Sequence, residues 1–313
     1  MGTGKTGKTS ILSIEDLVIS FDQYDQGFNQ IDLEVIHNLS VDVNEGEIVA
    51  VVGSSGSGKS LLAHAVLGLL PANCNASGFI RFDGELLDAK RIEELRGSQI
   101  VLVPQSVIYL DPLVKVGKQV RNNRNDQDSQ KKQAELFEYY GLDAYVADLY
   151  PFELSGGMAR RVLLASSLMT NPRLVIADEP TPGLHLEAAK KAMQLFRDFA
   201  NEGNGVLLIT HDIELALETA DRIAIFYAGT TLEVAKAEDF RAMETLRHPY
   251  TQALWRAFPT NGFKPYPGTQ PYVKDEVNGC AFSKRCHMFS EECACDIPLR
   301  EVRDGLVRCV KAE

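Results

Sequence analysis

Residues 47–71 read EIVAVVGSSGSGKSLLAHAVLGLLP, and no other stretch narrows the fold so far. EIVAVV is a short apolar run of the kind that makes a buried parallel strand. It breaks at a glycine-rich turn, and KSLLAHAVLGLLP then carries apolar residues at helical spacing, a helix expected to end at Pro71. Gly53, Gly58, Lys59 and Ser60 occupy the fixed positions of the pattern G-x-x-x-x-G-K-[ST]. A turn that leaves a buried strand and enters a helix N-terminus converges its backbone N–H groups on one point, where the helix dipole also favours an anion. Gly53, Ser54, Gly56, Ser57 and Gly58 would therefore cradle phosphates. Lys59 would reach the β- and γ-phosphates of a nucleotide such as ATP, and the Ser60 hydroxyl would bind Mg²⁺.

The same pattern occurs earlier. Gly2 to Thr9, within MGTGKTGKTS, also reads G-x-x-x-x-G-K-T. No strand precedes it, and a short run of glycine, threonine and lysine is expected to form a flexible tail over residues 1–10. Pattern without context makes no nucleotide site.

The rest of the chain alternates. ILSIEDLVISF reads as a strand, GFIRFDG as an edge strand, and residues from about 106 to 170 turn helical. RLVIAD, a helix over roughly 186–202, GVLLIT, a helix at 212–220 and RIAIFYAG follow, so the expected core is a mostly parallel α/β sheet. Proline and glycine thicken between 258 and 279 and mark a linker.

Hydrolysis needs a metal ligand, a group to orient water and a contact to the γ-phosphate. Asp178 ends the strand LVIAD and would hold Mg²⁺, with Glu179 beside it to polarise the attacking water. LLITHD ends another strand with His211, suited to the γ-phosphate, and VLVPQS ends a third with Gln105, suited to Mg²⁺ and water. Each alone has an ordinary reading as a solvated turn or a cap. Their order after a phosphate loop is what gives them weight. LSGGM, from Leu154 to Met158, starts a further helix with a serine and two glycines, a second anion-binding element.

With these five motifs in order, residues 11–245 resemble the ATP-binding cassette (ABC) family. GSSGSGKS matches its Walker A, Gln105 its Q-loop, LSGGM its signature, LVIADE its Walker B and His211 its switch histidine. The resemblance implies a P-loop NTPase cassette of α/β class, with a mixed-sheet core, an antiparallel β part and a helical subdomain at about 106–170. It also implies that two cassettes pair head to tail, so that Ser155, Gly156 and Gly157 would contact the γ-phosphate held by a partner. Two departures stand out. His185 replaces the usual D-loop aspartate, and the aromatic that stacks on adenine could be Tyr24 or Phe28.

Residues 246–313 form the expected C-terminal extension, and R-H-P-Y-T-x-A-L at 247–254 resembles oligopeptide, dipeptide and nickel importer ATPases. Of six cysteines, five fall between Cys280 and Cys309, spaced C-x5-C-x6-C-x-C-x13-C. A cluster of this kind in a cytosolic chain favours metal over disulfides. The resemblance points to Cys280, Cys286, Cys293 and Cys309 as ligands of a 4Fe-4S cluster, with Zn²⁺ as the alternative, Cys295 as the spare, and a set of reduced, partly buried thiols as the reading without metal.

The implied function is an ATP-hydrolysing subunit that powers import of peptides or of nickel and metal chelates. Its expected partners are a second ABC ATPase subunit, two membrane permease subunits and, through them, an extracytoplasmic solute-binding protein. With no secretory signal and no apolar run of 18 residues the chain is expected to be cytoplasmic, and the resemblance implies a peripheral place at the cytoplasmic face of the membrane, through the permease subunits. A soluble cassette acting on DNA or ribosomes is the alternative. A formal net charge of −11 disfavours nucleic acid, and only about fifty residues separate Gln105 from Ser155, leaving no room for a long coiled coil.

Overall fold

The computed structural model describes residues 9–24, 27, 29–54, 56–272 and 278–313. The terminal pattern match therefore falls, but for Thr9, outside the described residues. Two sheets make up the frame. In the smaller, β1 (Ser10–Tyr24) pairs antiparallel with β2 (Gln30–Asn44) on one side and β4 (Cys74–Phe82) on the other, and the two-residue β5 (Glu85–Leu86) lies outside β4. GFIRFDG is thus an interior strand, not the expected edge. Asp83 and Gly84 both take positive φ, 51° and 77°, which closes a tight hairpin and folds β5 back onto β4.

The larger sheet begins with β3 (Ile48–Gly53) and adds β6 (Ile100–Val103), β7 (Leu174–Asp178), β8 (Gly205–Thr210) and β9 (Arg222–Tyr227), in the order β9-β3-β8-β7-β6 and all parallel. Along β3, Ile48, Ala50 and Val52 point into one apolar layer while Val49 and Val51 point into another. Both faces of the strand are covered, which is why its sequence shows no polar alternation. One layer is closed by α5 (Gly156–Ser167) and α6 (Leu186–Asn201), through side chains such as Val162 and Phe196. The other is closed by α1 (Lys59–Val66) and the small sheet, with Leu62 and Ile11 in the same apolar layer.

Helix α1 stops at Val66 rather than running to Pro71. Gly68 turns left-handed at φ 63°, and the Leu69 N–H donates to the His64 carbonyl at 2.8 Å, a glycine-terminated helix end. The segment between Gln105 and the signature is helical, as expected: α3 (Val116–Val120) and α4 (Gln127–Tyr139) pack beside α5 with short 3-10 turns between. α2 (Ala89–Leu95) lies on the far side, and α7 (Ile213–Thr219) follows β8.

Besides the two-residue β5, three strands escaped the sequence reading. β10 (Thr230–Lys236) pairs antiparallel with β9, and the C-terminal hairpin β11 (Arg300–Val302) and β12 (Gly305–Val307) extends the same sheet through β10. The RHPY segment locks this edge. The backbone N–H groups of Arg247 and His248 donate to the fully buried Glu233 carboxylate at 2.9 and 2.8 Å. The Arg247 guanidinium then reaches Asp239 at 2.9 Å and the Val302 carbonyl at 2.6 Å. α8 (Pro249–Arg256) starts directly after, with His248 as its cap.

Candidate nucleotide site

The phosphate loop is shaped by glycine where nothing else fits. A Cβ on Gly53 would stand 2.6 Å from the Phe226 carbonyl of neighbouring β9, so β3 can leave the sheet there only without a side chain. Gly58 caps α1 at φ 90°, and a Cβ would press on Ile36 at 3.1 Å. Lys59 Nζ donates to the carbonyls of Gly53 (2.8 Å) and Ser54 (2.9 Å), which holds the ammonium across the loop. Burial lowers its pKa, opposed by the carboxylates of Glu179 and Asp178. Ser57 Oγ is buried without a partner. Loop, strand ends and helix enclose a cleft of about 490 Å³, lined by Gly56, Gly58, Lys59, Ser60, Gln105, Glu179 and His211 among others. Residues far apart in sequence thus share one wall.

Asp178 ends β7 and is buried. Burial raises its pKa, while a hydrogen bond from Ser60 works the other way. Its Oδ1 has no hydrogen-bond partner. A buried carboxylate oxygen left over beside a serine hydroxyl suits a hard divalent cation, so Ser60 and Asp178 fit Mg²⁺. Glu179 follows at φ 47°, a strained backbone for a non-glycine residue. Its N–H is fixed by the Ile209 carbonyl of β8 at 2.8 Å, and its carboxylate meets His211 Nδ1 at 2.8 Å. Strand pairing therefore aims the carboxylate into the cleft and couples it to the histidine.

Arg160 was not singled out by the sequence reading, yet it joins these strand ends. Only 2% exposed, it donates through Nη1 to the carbonyls of Pro104 and Gln105, each at 2.6 Å, and through Nε to Pro180 at 2.9 Å. It ties the signature helix α5 to the Gln105 loop and to the loop after Glu179. On an amphipathic helix such an arginine reads as solvated, and nothing in its spacing marks it otherwise.

The signature lies elsewhere. Ser155 caps α5, accepting from the Met158 N–H at 3.3 Å, and Ser155 and Gly156 are exposed. Gly157 faces the Gly183 carbonyl; none of the three lines the cleft described above. His185 caps α6 through Nδ1, which accepts from the Ala188 N–H at 3.3 Å, so it supplies the capping oxygen's role with a nitrogen. Tyr24 ends β1 exposed and outside the cleft, and Phe28 lies outside the described residues.

In the extension, Cys280, Cys293 and Cys309 are buried, Cys286 is half-buried and Cys295 exposed. Burial pushes the Cys280 thiol up to about 11, and Cys309, Cys286 and Cys293 lie close enough to add to the shift. Four thiols share one neighbourhood, but among the described residues no three His, Cys, Asp or Glu side chains are arranged to hold a metal ion. The ligand set expected from the sequence is not assembled.

A phosphate loop on β3, a carboxylate pair ending β7 and a histidine ending β8, with a helical segment set between, define a cassette-type P-loop ATPase. Residues 36–182 match the family described as ABC transporter, and residues 232–293 match oligopeptide/dipeptide transporter, C-terminal region. The chain is 34% identical to the probable D,D-dipeptide transport ATP-binding protein DdpD of Escherichia coli (strain K12), over 96% of this chain and 95% of that one. It is 33% identical to the oligopeptide transport ATP-binding protein OppD of Bacillus subtilis (strain 168), over 88% and 81%. The dimeric structure of MJ0796, a bacterial ABC transporter cassette, superposes with a TM-score of 0.63 at 27% identity, covering 72% of this chain and 98% of that one. The chain belongs to the ABC transporter family, among the ATP-binding subunits with the oligopeptide/dipeptide C-terminal region. It is an ATPase.

Proposed function

We propose that this ATPase powers import of short peptides through separate permease subunits, working at the cytoplasmic face of the membrane. The observation that carries the chemistry is the Glu179 carboxylate, fixed by β8 and His211 at the mouth of the phosphate loop. Bound Mg²⁺, held by Ser60 and Asp178 with Gln105 nearby, would supply charge neutralisation at the phosphates. Lys59 would bind the β- and γ-phosphates, Glu179 would take the proton of the attacking water, and His211 would contact the γ-phosphate. Ser155 and Gly156, exposed, and Gly157, half-buried, all away from their own cleft, fit a role at the cleft of a second cassette, identical or homologous to this one.

Peptide is the solute we propose because the relatives at 31–34% identity bear dipeptide and oligopeptide names. After Gln105, Ile108, Tyr109 and Leu113 are 82%, 58% and 84% exposed, an apolar face that suits docking to two permease subunits. A solute-binding protein would deliver the peptide from outside. Among the described residues no helix is long and apolar enough to cross a membrane, and in this reading the path lies in the permease subunits. Co-purification with permease subunits, reconstitution into vesicles and uptake of labelled di- and oligopeptides test the reading. ATP-dependent peptide uptake is expected; uptake of Ni²⁺ without peptide uptake would contradict it.

For the extension we propose that Cys280, Cys286, Cys293 and Cys309 hold a 4Fe-4S cluster, with Zn²⁺ as the alternative. The shared neighbourhood of four thiols supports this, although among the described residues they form no ready ligand group. Anaerobic purification followed by iron, sulfide and zinc analysis decides: stoichiometric metal is expected, and none of the three would leave four reduced thiols.

A further inference from the structure

Ser54 is the second residue of the phosphate loop, and its carbonyl accepts from Lys59 Nζ. Its hydroxyl donates to Gln270 Oε1, 216 residues away in the Pro- and Gly-rich linker. Gln270 is not adrift on that linker. Four residues earlier the chain is clamped to the cysteine-bearing extension by Arg285. This guanidinium donates to the Pro267 carbonyl at 3.0 Å, the Tyr266 carbonyl at 3.2 Å and the Tyr227 hydroxyl at 3.1 Å. Tyr266 returns the contact, its hydroxyl donating to the Arg285 carbonyl at 2.8 Å. The same guanidinium stands over the rings of Phe282, Tyr266 and Tyr227 at 5.5, 5.6 and 5.9 Å. Tyr227 ends β9, next to the Phe226 whose carbonyl abuts Gly53. The clamp and the loop therefore rest on one strand end.

We propose that segment 266–270 is a strap that positions the phosphate loop, with Gln270 the positioning residue on Ser54 and Arg285 its anchor in the extension. An exposed turn between strand and helix gains definition when one side chain is fixed from outside. Here the fixed residue is the one whose carbonyl also tethers Lys59. Through Arg285, which directly precedes Cys286 on the segment 280–286, the extension gains a direct mechanical hold on the entrance of the nucleotide cleft. Gln270 touches no reacting atom; it acts through Ser54.

Steady-state ATP hydrolysis by the full chain in its assembled transporter tests this, with Gln270→Met, Ser54→Ala, Arg285→Met and the Ser54→Ala/Gln270→Met double variant. Gln270→Met keeps length and removes the acceptor. The KM for ATP is expected to rise about two- to tenfold, the worth of one hydrogen bond, in Gln270→Met with kcat within about twofold, and KM is expected to rise at least as far in Ser54→Ala. The double variant is expected to be no worse than the weaker single variant, because both remove the same contact. Arg285→Met is expected to raise KM in the same direction. An unchanged KM in Gln270→Met overturns the strap, as do additive effects in the double variant. A fall in kcat and melting temperature with KM unchanged also overturns it, since that is what a merely structural residue would show. The proposal rests on ATP hydrolysis by this site: absent wild-type turnover speaks against the ATPase itself, whereas normal wild-type turnover with unaffected variants removes the strap alone.

Discussion

Glu179 holds its left-handed backbone because its N–H is claimed by β8, and its carboxylate is claimed by His211. Strain stored at one residue and constrained from two sides is how a carboxylate is kept aimed. Replacing Glu179 with Gln preserves shape and removes the proposed base. Turnover is expected to fall on the order of 10²- to 10⁴-fold while ATP binding persists, as measured by single-turnover hydrolysis and fluorescent-nucleotide titration. Retained turnover would strip Glu179 of the assigned role. The strand-end residues were legible because apolar strands ending in Asp-Glu, His or Gln announce where side chains emerge. Arg160 was not, because its burial depends on three carbonyls that converge only in the folded chain. The φ of Glu179 was equally hidden: nothing local in LVIADEP requires it.

Among elements, the small sheet, β3 and β9 are joined by a single arginine. Arg222, at the start of β9, donates to both carboxylate oxygens of Asp42 on β2 and reaches Glu47, just before β3, at 2.6 Å. Burial works to raise the Glu47 pKa, but the Arg222 guanidinium and the Asn44 donors outweigh it and the pKa is lowered. A folded pKa below the unfolded one contributes stability above the ordinary glutamate range, and this is lost as pH falls through the lowered value. Glu47→Gln is expected to cost about 3 kcal/mol near neutral pH. It should also flatten the acid side of the stability curve below about pH 4.3, as followed by denaturant unfolding at several pH values. An unchanged acid slope would show that the pair contributes nothing there. Continuous apolar runs such as EIVAVV and LVIAD made the parallel strands readable. β10 hid because it buries Glu233 in mid-strand, and β11 and β12 hid because three residues carry no period.

At the scale of the whole molecule, the cleft draws its walls from the phosphate loop and three strand ends, while the signature caps a helix outside it. A second cassette is the proposed source of the missing wall. Gly157→Asp is accordingly expected to abolish hydrolysis in the assembled transporter. It should leave the affinity of the isolated chain for a fluorescent ATP analogue within about twofold; loss of that affinity would place the signature in its own cleft. The sequence showed which motifs belong together, but not how the extension is tied in. That attachment runs through backbone-to-Glu233 bonds and the Arg247 fork, contacts that no spacing encodes.

The central claim is that one phosphate loop, Gly53 to Ser60, serves catalysis, and that the earlier match in MGTGKTGKTS does not. ATP hydrolysis by Lys59→Ala and Lys8→Ala variants of the assembled transporter measures this most directly. Loss of turnover in Lys59→Ala with wild-type rates in Lys8→Ala is the predicted result. Wild-type turnover in Lys59→Ala, or its loss in Lys8→Ala, would contradict the account.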